Sequence, residues 1–125
     1  MTGIALFEKA MEMLGYSSAE GISGREDMLK KTLTLINLVY SELYYAFCYV
    51  PGGTDNFTPL KTMSEKLVLP PMVLNDIAPY GVAMYLAQSE SDADNQNLYA
   101  NIYNQKRIRG KSVKTISDNL PHIEE

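Results

Sequence analysis

Pro79 stands in the middle of an apolar helical face, and that placement limits what the surrounding chain can become. Val73, Leu74, Ile77, Ala78, Gly81, Met84 and Ala87 recur at spacings of three and four, the period of one side of an α-helix. A proline at 79 has no N–H to offer the carbonyl of Asn75, and its ring crowds that carbonyl. The expectation is a kink, or a short helix over 71–77 followed by a second starting near Pro79. Pro70 and Pro71 open the stretch, because proline is tolerated in a first helical turn. Gly81 leaves room for a close helix crossing. Residues 89–95 (SESDADN) break the apolar run, with Asp92 suited to an N-cap and Asp94 to the positive end of the next helix. That helix carries Leu98, Tyr99, Ile102 and Tyr103 on one stripe, and Gly110 is placed to end it. Residues 69–107 therefore read as a helical hairpin.

Upstream, residues 4–14 form a helix with Phe7, Ala10, Met11 and Leu14 on one face and Gly15 as its C′ residue. Residues 16–21 (YSSAEG) read as a loop. Ser23-Gly24-Arg25-Glu26 fits a capping box for a helix reaching about Cys48. Leu29, Leu33, Ile36, Tyr40, Leu43 and Phe47 make its main stripe, and Met28, Leu35, Leu38, Val39, Tyr45 and Ala46 widen it well past one face. Such a helix expects neighbours on more than one side, which makes it the candidate for the centre. Either the chain's own helices or another subunit would supply them. Val50-Pro51-Gly52-Gly53 stops it. Residues 54–59 are loop, and 61–69 an extended connector with at most one short strand. The expected fold is all-α: a compact bundle of about four helices with a long central helix, a proline-kinked hairpin and a C-terminal tail. Residues 1–110 form the domain, and 111–125 a tail ordered only when docked.

The length of 125 residues suits one core, and a hydrophobic fraction of 46% argues against disorder. A formal net charge of −4 speaks against non-specific duplex binding by the chain as a whole. No apolar run is long enough to span a bilayer and no secretory leader is visible, so no membrane partner is expected.

Catalytic equipment is sparse. The one histidine, His122, lies three residues from the last, where an imidazole rarely finds a fixed partner. The one cysteine, Cys48, excludes an intrachain disulfide and lies among Tyr44, Tyr45, Phe47 and Tyr49, with no cation nearby in sequence to activate its thiol. Asp92, Asp94 and Asn97 invite a calcium reading, but the loop pattern needs a further oxygen ligand at 96, a glycine at 97 and a glutamate at 103, where the chain has Gln96, Asn97 and Tyr103. Helix capping explains those acids. No phosphate-cradling loop is present. The expectation is no enzyme, no catalytic residue, no metal and no cofactor.

Two features rise above this background. Lys106, Arg107, Arg109, Lys111 and Lys114 hold five of the eleven basic residues with no acid between them. They read either as cations favoured at a helix C-terminus or as contacts to an acidic partner surface or passing DNA. Tyrosine is the second: nine, against three phenylalanines and no tryptophan. Tyr40, Tyr44, Tyr45 and Tyr49 fall on the long helix, and Tyr80, Tyr85, Tyr99 and Tyr103 on the hairpin. Tyrosine suits interfaces, offering an apolar face with a polar tip; the other reading is that these rings finish the core with their hydroxyls reaching solvent.

The run APYGVAMYLAQSESDADNQNLYANIYNQKR resembles the C-terminal half of small bacteriophage head–tail connector (neck) proteins. These pair a proline-glycine helix start, an Ala-rich helix, a short acidic turn and a Tyr/Asn-rich helix ending in basic residues. FEKAMEMLGY followed by LKKTLTLINLVYSEL fits the same pattern, so the resemblance covers about residues 4–109. It carries no catalytic signature. It implies a virion structural protein, made in the bacterial host cytoplasm, that forms a homo-oligomeric ring in the neck. The implied partners are the portal protein, the next neck or tail protein and, in passing, genomic DNA. The other reading is a cytoplasmic regulatory or DNA-binding helical module. A helix-turn-helix needs a basic recognition helix, whereas here the turn is acidic and the following helix becomes basic only at its end.

Overall fold

The computed structural model describes residues 1–15, 26–53 and 56–119, with side chains described outside 26–29 and 112–119. The 16–21 loop, the Ser23 capping box, His122 and the chain after 119 lie outside the described residues, as does the side chain of Lys114. The described residues form four α-helices, with no strand among them: α1 (Gly3–Leu14), α2 (Glu26–Phe47), α3 (Ala78–Ser89) and α4 (Ala93–Asn119). The all-α bundle expected from the periodicities is the architecture observed.

Local chemistry sets several boundaries. The Ala5 N–H donates to Thr2 Oγ1 at 3.1 Å, capping α1. Gly15 ends the same helix at φ 74°, a left-handed conformation open to glycine without steric cost, and its N–H donates to the Glu12 carbonyl at 3.1 Å. Asp92 caps α4, its Oδ1 accepting from the Asn95 N–H at 3.2 Å.

Around Pro79 the chain takes the second of the two expected forms, joined without a break. A π-helical turn (Val73–Ile77) runs directly into α3, and the Ala78 N–H reaches back five residues to the Val73 carbonyl. The Asn75 carbonyl, which Pro79 cannot serve, accepts instead from Lys9 Nζ on α1 at 3.2 Å. The proline's missing donor is thus replaced from another helix.

The long α2 touches α1, α3 and α4, but the most extensively packed helix is α3. It is short and built of small residues, with Ala78, Gly81, Ala83 and Ala87 buried, so three helices can approach it closely. The long α2 lends the core one face, through Thr32, Ile36, Val39, Tyr40, Leu43 and Phe47, while Leu38 and Tyr45 on its far side are exposed. The wide apolar stripe of α2 therefore overstates how much of it this chain covers. Leu98 departs from the expected α4 stripe and is also exposed, whereas Tyr103 from the same stripe is fully buried.

Residues 56–70 cross α1 and α2 without joining a sheet. One isolated antiparallel bridge pairs Thr2 with Lys66. The Gly3 N–H donates to the Glu65 carbonyl and the Ile4 N–H to that of Met63, at 3.1 and 2.9 Å. The Asn37 side chain binds both backbone groups of Leu60, donating to its carbonyl at 2.9 Å and accepting from its N–H at 2.7 Å. Val68 N–H donates to the Tyr40 hydroxyl at 3.0 Å. The connector's polar backbone is satisfied partly by side chains of α2 and partly by backbone groups at the start of the chain, without a continuous ladder.

Gly110 does not end α4, which continues to Asn119. A Cβ at 110 would lie 3.0 Å from Phe47 ring carbons and 3.3 Å from Ile77 Cδ1. Its glycine serves close packing of α4 on α2 and on the π-helical turn before α3, and the helix stays regular through it. The segment expected as a tail from 111 is accordingly helical as far as 119.

Candidate interaction surface

The end of α2 gathers an aromatic cluster. Tyr44 and Tyr45 meet edge to face at 5.3 Å between ring centroids, Tyr45 and Tyr49 lie 5.4 Å apart, and Phe57 from the connector packs on Tyr40 at 4.9 Å and on Tyr44 at 5.6 Å. Tyr40 is buried, but Tyr45 and Tyr49 are 57% and 46% exposed, and Val50 and Val68 beside them 66% and 77%. A groove of about 430 Å³ opens here, lined by Tyr40, Tyr44, Cys48, Val50, Gly53, Asn56, Thr58 and Val68. Among the described residues no charged side chain lines it. Scattered exposed apolar residues are ordinary; several adjoining one aromatic groove make a surface suited to a partner. The last turn of α2 carries no cation to complement the negative end of its dipole.

The hairpin tyrosines have a different fate. Glu42 on α2 accepts from the Tyr85 hydroxyl through Oε2 and from the Tyr103 hydroxyl through Oε1, both at 2.8 Å. This carboxylate ties α2 to α3 and α4 together. Burial, then the hydrogen bond to Glu42, push the Tyr85 phenol up to about 12. Burial, then the charge of Glu42, push the Tyr103 phenol higher still. Both phenols are held protonated as donors, which is structural work. Tyr99 donates to the Met13 carbonyl at 2.7 Å, pinning α4 to the end of α1. No residue signal announced Glu42, since its partners lie 43 and 61 positions away.

The basic segment divides. Lys106 pairs with Asp76 at 2.8 Å and lies 5.0 Å from the centroid of the Tyr80 ring. Arg107 stacks over Tyr103 at 4.4 Å and donates to Asn104 Oδ1. These two cations are engaged within the fold. Arg109 and Lys111 are exposed. The five residues grouped by sequence thus do not form one uniform exterior patch among those described.

Of the acids in the 89–95 turn, Asp92 caps α4, its Oδ2 also accepting from Asn95 Nδ2 at 2.7 Å, and Asp94 lies in the helix's first turn. Among the described residues no cluster of three or more His, Cys, Asp or Glu is placed to hold a metal ion. Among the same residues no helix is long and apolar enough to cross a membrane.

No family model, curated protein or solved structure matches the chain.

Proposed function

We propose that this chain is a structural head–tail connector of a tailed bacteriophage or prophage, assembling as a ring between portal and tail. In this reading it works by association and performs no turnover chemistry. The observation that carries it is the tyrosine-rich groove at the end of α2, where Tyr45, Tyr49, Val50 and Val68 are exposed, on a bundle whose other conspicuous side-chain clusters are satisfied internally. The likeness of residues 4–109 to neck proteins supplies the kind of assembly. The tyrosines that look outward fit protein contacts, where a large apolar ring with a polar tip is favoured. The net charge of −4 is compatible with a channel through which DNA slides without adhering.

Particles from the source phage or an induced prophage provide the test. The chain should be a stoichiometric virion component, and cryo-electron microscopy should place it as a ring adjoining the portal. Disruption of its gene should leave filled heads unjoined to tails, and that gene should lie between head and tail genes. Absence from purified particles, with normal tailed virions made by the deletion strain, would refute the reading. Sequence-specific DNA binding by the isolated chain would favour the regulatory alternative.

A further inference from the structure

We propose that the aromatic groove at the end of α2 seats the basic C-terminal part of α4 from a second copy of this chain. This rests on the reading of the protein as a self-assembling ring component, and it names the contact between neighbours.

Three observations converge. The first is reach. Gly110 is seated on Phe47 and Ile77, and α4 then continues to Asn119, about 13 Å further at about 1.5 Å per residue. The second is complementarity. Among the described residues the groove and its rim present tyrosine faces and no charge, and the last turn of α2 has no cation of its own, whereas this part of α4 carries Arg109, Lys111 and Lys114 with no acid between them. Aromatic faces and a helix C-terminus both attract positive charge. The third is precedent inside the fold. The preceding cations of the same helix, Lys106 and Arg107, each sit over a tyrosine ring of this chain. Arg109 and Lys111 repeat the chemistry without a described ring of their own, and Tyr45 and Tyr49 are exposed rings.

Cys48 lines the groove and is the chain's one cysteine, so it reports directly on what docks there. The full chain with Cys48→Ser and Lys111→Cys is mixed with the native chain, treated with a short bismaleimide and digested for mass spectrometry. The expected product is a link between Cys48 of one copy and position 111 of another, well above the level given by Cys48→Ser with Glu8→Cys on the exposed side of α1. Tyr45→Ser with Tyr49→Ser should weaken self-association about tenfold in sedimentation, and Arg109→Gln with Lys111→Gln should do the same, the scale of losing one or two such contacts. Both pairs replace exposed residues, so circular dichroism should be unchanged. Mixing the two double variants should restore pairs, because each retains the half the other lacks.

A 48–111 link no more frequent than the control overturns the proposal, as does a chain that stays monomeric at its solubility limit. Rings that form with links elsewhere overturn the groove assignment and leave the connector reading standing. A confirmed 48–111 contact in a protein absent from virions does the reverse.

Discussion

Replacing Gly81 by alanine tests the closest approach in the bundle. A Cβ built on Gly81 falls 2.7 Å from both Cε1 and Cζ of Tyr103, too near for carbon atoms to remain in place. An aromatic ring at a surface would swing aside. Tyr103 is 0% exposed, its hydroxyl is held 2.8 Å from Glu42, and Arg107 lies 4.4 Å over its ring. Overpacking of this kind costs about 1–3 kcal/mol. If the ring moves far enough to lose the bond to the Glu42 carboxylate, about 1.5–3 kcal/mol more is at stake. Against this, alanine in a helix interior gains about 1 kcal/mol over glycine. The balance is a net loss of about 0–2 kcal/mol with that bond kept and about 1.5–5 kcal/mol with it lost. Urea denaturation followed by circular dichroism measures it, with Tyr103→Leu as the second arm of a double-mutant cycle. The smaller leucine should relieve the clash, so Gly81→Ala should cost far less in that background. If Gly81→Ala alone is as stable as the parent or more so, α4 can retreat without penalty, and the close crossing is incidental.

Other expectations follow from the same contacts. Ile36 is fully buried, so Ile36→Ala should lose about 2–5 kcal/mol in chemical denaturation. Asn37→Ala removes both bonds to Leu60 and should cost about 1–3 kcal/mol, with faster amide hydrogen exchange concentrated in the connector. Pro79→Ala supplies an N–H able to serve the Asn75 carbonyl, so Lys9→Met should matter less in that background than in the parent; equal effects would show that Lys9 does not substitute for the missing donor. The phenols of Tyr85 and Tyr103 are raised in the fold, so their contribution to stability is complete below the unfolded value near 10 and declines as pH rises toward 12 for Tyr85 and beyond for Tyr103. Alkaline unfolding curves should show this decline, and Tyr85→Phe should remove its share.

Much of the helical framework was legible because caps and periodicity act within a few residues. Gly15 stops α1 because its own backbone tolerates φ 74°, Asp92 starts α4 through a bond to Asn95, and the three-and-four spacing of residues 73–87 already marked the buried face. Pro79 announced a break in regular α-geometry because a missing N–H is a local fact. That Lys9, 66 residues away, would serve the stranded carbonyl is a fact about packing. Tertiary contacts also decided what residue type left open. Gly110 resembled a helix stop until Phe47 and Ile77 occupied the space of its absent side chain. Lys106 and Arg107 looked like their exposed neighbours until Asp76, Tyr80 and Tyr103 drew them inward. The tyrosines separated in the same way: Tyr85, Tyr99 and Tyr103 found Glu42 and the Met13 carbonyl, whereas Tyr45 and Tyr49 at the end of α2 were left facing outward. Sequence assigns each ring an apolar face and a hydroxyl, but only the placement of distant helices supplies or withholds an acceptor, and with it the difference between a core tyrosine and a docking surface.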